Sequence, residues 1–211
     1  MVGSILLDTI LNQIGASELT LCDLALREGL ALDYIHRNQV HIIKVAQYPD
    51  VRHRSVVELA ERCNYSPEHA EQVGCLALSL FDQTRPAHSL RARERKWLEY
   101  ASLLHDIGVH ISYGRHHKHS YYLIKNGDLR GFEPEEVKVR ALVARYHRRG
   151  LPKRAHRRYA SLSQPLRHTV KVLSSLFRLS EGLDLSHQKS VESLEIIPGS
   201  QDCLVRIVPA G

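Results

Sequence analysis

This chain of 211 residues is short of several things at once. Its four cysteines, Cys22, Cys63, Cys75 and Cys203, are widely scattered and form no CxxC pair. That excludes a cysteine zinc site, argues against a disulfide framework, and leaves the expectation of free thiols in a reducing cytoplasm. No apolar run approaches the ~20 residues a membrane helix requires. The opening "MVGSILLDTILNQIG" has no basic leader and carries Asp8 within its apolar stretch, which argues against a signal peptide. Walker A, GxSxG, HExxH and GxGxxG motifs are missing, which sets aside the best-known nucleotide and hydrolase sites. Internal repeats and low-complexity segments are missing too.

The most informative absence is of negative charge. From Lys138 to Arg178 there are twelve Lys/Arg residues and not one Asp or Glu, within a chain of net charge +6. The stretch "RYHRRGLPKRAHRRY" interleaves those cations with histidines and aromatics, and Arg145, Arg148, Arg149, Lys153 and Arg154 form its densest part. A solvated basic face is the plain reading of a charge run. Forty-one residues without an acid favour a polyanionic partner instead. Helix-turn-helix, zinc-finger and RNA-binding motifs do not appear, so nucleic acid ranks last among such partners.

What is present is a globular composition, 43% hydrophobic with a mean hydropathy of −0.27, and a strongly helical pattern. "SILLDTILNQIG" reads as a helix stopped at Gly15, "ELTLCD" (18–23) as a short strand, and "LALREGLALDYIHR" as a second helix. In "SPEHAEQVGCLALSLFDQT", Ser66 and Pro67 read as a helix start, and Val73, Leu76, Ala77 and Leu80 as one stripe. "RERKWLEYASLLHDIG" aligns Leu98, Ala101 and Leu104, and "EPEEVKVRALVARYHR" aligns Val139 and Val143. For "PLRHTVKVLSSLFRLSEGLD" the expected stripe is Val172, Leu176, Leu179 and Leu183. The tail alternates about Pro198-Gly199 as a hairpin.

Fourteen histidines remain to be explained. Helical phase aims three of them inward from separate helices: His69 four before Val73, His105 four after Ala101, and His147 four after Val143. Any one alone is more often a satisfied core histidine. Three together, with Asp106 beside His105, suggest a shared divalent metal, since buried polar groups must find partners. His69, His105 and Asp106 then make a first ligand set, with Glu181 or Asp184 as the carboxylate completing it. His119, and with it His147, is the candidate for a second metal or a phosphate contact. His116 and His117 are expected in a loop. His36, His41, His53, His88, His110, His156, His168 and His187 are expected to be surface or structural residues. A metal held this way lowers the pKa of its water and offsets charge on a phosphoryl group.

The H…HD…D pattern resembles that of HD-type metal-dependent phosphohydrolases, which are helical bundles. "RSVVELAERCNYSPEHAEQVGCLALSLFDQT", "LLHDIGVHISYGRHHKHSYYLIKNGDLRGF", "ARYHRRGLPK" and "RLSEGLDLSH" resemble the C-terminal helical domain of the exopolyphosphatase / guanosine pentaphosphate phosphohydrolase family (Ppx/GppA). "ELTLCDLALREGLALDYI" is similar to the last strand and helix of that family's actin-like phosphatase domain. The resemblance implies a mainly α fold: a remnant of the actin-like domain (1–35), an HD-type helical bundle (36–187) and a C-terminal β-hairpin (188–211). It implies polyphosphate or guanosine penta- or tetraphosphate as ligand, Mg, Mn or a similar divalent metal as cofactor, and a homodimer. Family hydrolysis is attributed to the actin-like domain, whose phosphate loops and catalytic glutamate precede anything in this chain. Two roles follow as expectations. In one, His105 and Asp106 are the catalytic pair of a phosphohydrolase site. In the other, the domain is a non-catalytic binding and dimerisation module for a phosphatase domain outside this chain. Some relatives carry Glu at the place of Asp106, and many read Ala-Asp where this chain has Ser180-Glu181, so Glu181 stands as a conservative ligand replacement.

Overall fold

A computed structural model describes residues 2–18, 25–199 and 202–210. The chain divides into two compact units, 1–47 and 48–211. In the first, α1 (Val2–Ile14) ends at Gly15, whose φ of +66° is the left-handed turn that glycine adopts without steric cost. The Ala16 N–H then returns to the Leu11 carbonyl at 3.0 Å. Helices α2 (Leu26–Arg37) and α3 (Gln39–Gln47) follow, and neither buries a residue. The strand expected at 18–23 falls almost wholly on residues outside those described.

The second unit is a helical bundle. Its elements are α4 (Val51–Arg62), α5 (Pro67–Gln83), α6 (Arg85–His88), α7 (Ala92–Leu104), a 3-10 turn η1 (Ile107–His110), α8 (His116–Asn126), α9 (Pro134–Arg145), α10 (Arg157–Ala160) and α11 (Gln164–Leu183). Helices α5, α7, α9 and α11 pack on one another, with α4 against α7, and α8 against α9 and η1. Their shared core includes Val56, Leu98, Leu104, Ile107, Leu142 and Leu173, all fully buried. Arg140 is buried with them, its guanidinium 3.8 Å from the Phe132 ring centroid.

The stripes expected on α5, α7 and α9 are buried. On α11 the phase differs. Its buried face is Val170, Leu173, Ser174, Phe177, Ser180 and Glu181, while Leu179 is exposed. Leu183 turns instead toward a second, smaller cluster with Leu76, Leu80, Val191 and Leu194, and Leu176 packs against both this cluster and the main core. Helix α11 is thus covered on two sides, and two serines on its inner face blur the apolar pattern there. Ser66 occupies the N-cap of α5 without a side-chain cap bond.

The second cluster is completed by an antiparallel hairpin, β1 (Val191–Pro198) with β2 (Cys203–Pro209), in register Leu194↔Ile207 and Pro198↔Cys203. An irregularity between Val191 and Ser193 lets Val191 and Leu194 share one face despite their odd spacing. Gln83 ties β1 to α5: its Nε2 donates to the Leu194 carbonyl at 2.9 Å and its Oε1 accepts from the Ile196 N–H at 2.7 Å.

Candidate metal centre

Within the helical bundle, five helix ends meet. His69 lies in the first turn of α5, and His105 is the C-cap of α7 with Asp106 next to it. His116 begins α8, His147 follows the C-cap of α9, and Glu181 and Asp184 close α11. Helix C-termini leave backbone carbonyls without intrahelical partners; His105 and His147 use such carbonyls at the ends of α7 and α9, and His116 uses one in the turn before α8. The Nδ1 of His105 bonds the Ser102 carbonyl at 2.7 Å, that of His147 the Ala144 carbonyl at 2.6 Å, and that of His116 the Tyr113 carbonyl at 3.0 Å. Each acceptor is three residues upstream of its histidine. The fourth ring, His69, sets Nδ1 2.8 Å from Asp184 Oδ2.

A carbonyl can only accept, so Nδ1 carries the proton in the three carbonyl-bonded rings, and a carboxylate imposes the same tautomer on His69. Every neutral ring then presents a lone pair at Nε2, and these lone pairs converge. His69 Nε2 and His105 Nε2 are 3.3 Å apart; His116 Nε2 and His147 Nε2 are 3.1 Å apart. Two facing lone pairs at such distances repel unless a proton or a cation lies between them.

The carboxylates meet the same two points. Glu181 Oε2 is 3.2 Å from His105 Nε2 and 3.4 Å from His69 Nε2. Asp106 Oδ2 is 3.5 Å from His105 Nε2, while its other oxygen, Oδ1, is 3.1 Å from His116 Nε2 and 3.6 Å from His147 Nε2. Two ligand groups result, His69–His105–Asp106–Glu181 and Asp106–His116–His147. Asp106 belongs to both, one oxygen to each. Glu181 Oε2 and Asp106 Oδ1 are buried without a hydrogen-bond partner, although imidazole nitrogens lie within reach. With Nε2 unprotonated, oxygen and nitrogen lone pairs face one another there, an arrangement that a shared cation relieves. By this test the residues fit divalent cations.

The electrostatics agree. Burial opposes charge on His105, but Asp106 and Glu181 override it and push the ring up to about 9. His69 is likewise raised by Glu181 and Asp184 against its burial. Both carboxyls, despite burial, are held well below the usual range by the surrounding imidazoles. His147 is pushed down to about 3 by burial and by the charge on His105.

The candidates named from sequence are distributed as follows. His69, His105, Asp106, His147 and Glu181 converge. Asp184 stands behind His69, bonded to its outer nitrogen. His119 is half-buried and in neither group, one helical turn beyond His116. The expectation of a loop at His116 and His117 is corrected: both are buried at the start of α8, because the helix begins there, after Arg115 at φ +62°. The spacing His116–Ser120–Ile124, four residues apart and all buried, is the sequence signal for that face. Arg145, Arg148 and Arg149 line a recess of about 190 Å³ with His117, Lys118 and His156, beside the helix ends that carry His116 and His147. Lys153 and Arg154 are exposed and do not line it. A larger groove of about 810 Å³ on the other side of Tyr121 gathers Lys125, Lys138, Arg157 and Arg158, with no acid in its lining. Among the described residues no helix is long and apolar enough to cross a membrane.

The family described as Ppx/GppA phosphatase, domain III, matches residues 51–201. The guanosine-5'-triphosphate,3'-diphosphate pyrophosphatase of Aeromonas hydrophila subsp. hydrophila is 36% identical to this chain over 138 residues. That match covers 65% of the chain and 26% of the relative, so the chain corresponds to about a quarter of that protein.

Proposed function

The chain belongs to the Ppx/GppA phosphatase family, as its domain III, and from that premise we propose that it is an HD-type phosphohydrolase domain for polyphosphate or phosphorylated guanosine. The observation that carries this reading is the division of Asp106 between two groups of histidines with unshared Nε2 lone pairs. Divalent cations in those groups supply Lewis acidity toward a phosphoryl group. The chain's own residues do the rest. Imidazoles outnumber carboxylates, which suits a first-row transition metal better than Mg. Asp106 is the most open member of the set, its side chain 21% exposed, so a terminal phosphate approaches from its side. Arg145, Arg148 and Arg149 hold the phosphates that do not react, through charge-assisted hydrogen bonds. The further cations at Lys125, Lys138, Arg157 and Arg158, gathered around Tyr121, extend that hold.

The groove, which lies outside the histidine groups, favours a second reading: a binding module that carries phosphate chains for a phosphatase domain on another part of a longer protein. Phosphate release from polyphosphate and from guanosine penta- and tetraphosphate, measured with the Mn-supplied chain and with Asp106→Asn, separates the two. Metal-dependent release that is lost in Asp106→Asn supports the enzyme. Salt-sensitive binding without any release supports the module.

A further inference from the structure

The loop that follows α11 contributes no ligand to either group, yet it folds back onto one of them. His187 lays its imidazole flat over His69, with ring centroids 3.6 Å apart and planes 5° from parallel. Burial does not hold it there, since His187 is exposed. The backbone does. The His187 N–H donates to the Asp184 carbonyl at 2.9 Å, and the Lys189 N–H donates to Asp184 Oδ1 at 2.9 Å. The other oxygen of that carboxylate is the one bonded to His69 Nδ1. Lys189 Nζ also lies 3.4 Å from Glu68, the residue before His69. To make this turn, His187 and Lys189 both adopt left-handed backbones, at φ 57° and 52°. Non-glycine residues meet a steric penalty there, and keep such a conformation only where their surroundings fix it.

The loop acts on what the hydrogen bond leaves loose. The Cβ–Cγ bond and the hydrogen bond at Nδ1 together place each imidazole, and packing against the ring limits the remaining swing about Cβ–Cγ, which moves Nε2. Each of the four converging rings has such a packing restraint. His105 has the edge of Phe177, with centroids 5.2 Å apart, and His116 and His147 stack on each other 17° from parallel. For His69 the flat neighbour is His187.

We infer that residues 185–189 form a strap that fixes the ring plane of His69, with His187 as a positioning residue for the His69–His105–Asp106–Glu181 group. The inference rests on the cation reading proposed above. Its test is Mn(II) affinity of the whole chain, by calorimetry or by loss of the free-ion EPR signal, together with the NMR positions of the His69 ring protons in the metal-free protein. His187→Ala weakens Mn(II) binding about tenfold, in the range of lost outer-shell partners, and removes the ring-current displacement of the His69 protons. His187→Phe keeps a flat ring without imidazole nitrogens and restores both. Thermal stability serves as the check that neither variant unfolds. Wild-type protein that takes up no Mn(II) overturns the cation reading and the strap with it. Wild-type uptake with equal affinity in His187→Ala, or with His187→Phe as weak as Ala, overturns the strap alone.

Discussion

Gly108 follows the His105–Asp106 pair by two residues and sits where the η1 turn touches the first turn of α8. A Cβ built on it lies 2.1 Å from the His116 carbonyl oxygen, 2.4 Å from the Ser120 nitrogen and 2.7 Å from Ser120 Oγ. Two of those atoms are backbone, so no rotamer change relieves the overlap. For Gly108→Ala the start of α8 has to retreat by about 1.3 Å to reach ordinary contact with the new methyl. The Gly108 N–H to Ser120 Oγ bond, 2.9 Å long, is stretched in the process. Overpacking against a rigid neighbour costs about 3 kcal/mol, which for a domain of this size lowers the melting temperature by roughly 6–12 °C. The same movement carries His116 away from Asp106 Oδ1, now 3.1 Å away. The second ligand group therefore opens while the first, on α5, α7 and α11, stays. The expected outcome is a folded but less stable protein that retains one Mn(II) per chain, read by chemical denaturation and by metal analysis after gel filtration. Gly182→Ala is the control. It lies next to Glu181, but nothing stands within 4 Å of its Cβ, so it gains up to about 1 kcal/mol in helix propensity. A Gly108→Ala protein with wild-type stability and undiminished metal content would refute the close approach of η1 and α8.

Three further outcomes are expected. In metal-free protein the raised pKa of His105 contributes stability that is complete below pH 6.5 and lost as pH rises through about 9. The loss is on the order of 3 kcal/mol, so the increase in melting temperature on adding Mn(II) over EDTA should grow from pH 6.5 to 9; a pH-independent increase contradicts the assignment. Polyphosphate binding, read by filter retention, should fall several-fold (~5) between 20 and 150 mM salt as screening sets in, and further in Arg148→Ala/Arg149→Gly, where glycine suits the left-handed backbone of Arg149 at φ 65°. Glu136→Ala should destabilise the bundle by about 2–4 kcal/mol without changing metal content, because Glu136 accepts from Trp97 Nε1 at 3.1 Å and from the Glu133 N–H at 3.0 Å; denaturant titration checks it.

Much of this was readable from residue spacing, and the failures have physical causes. On α5, α7 and α9 an apolar stripe keeps helical phase on the inner face, although Glu94, Ser102, Glu136 and Arg140 are buried there too, so its period gives both the helix and the direction of His69, His105 and His147. Helix α11 misleads because it is covered on two sides: Leu183, and Leu176 in part, serve the hairpin, while Ser174, Ser180 and Glu181 face the bundle. Periodicity finds one apolar face and has no means to see a second. His116 was hidden because "YGRHHKHS" carries no conventional helix start; Arg115 enters α8 through a left-handed backbone, which an arginine does not signal. Spacing also leaves Glu181 and Asp184 equivalent. Only the three-dimensional path of α11 puts one against the Nε2 lone pairs and the other behind His69. His187, distant from His69 in sequence and on no helix, has no local signal at all.

The central claim is that Asp106 divides its two oxygens between two cation groups. EPR of Mn(II)-loaded protein, with the bound metal counted per chain, tests it most directly. Two Mn(II) per chain, spin-coupled through a shared carboxylate, with both the coupling and the second ion lost in His116→Ala, is the predicted result. One uncoupled Mn(II) per chain, unaffected by His116→Ala, would contradict it.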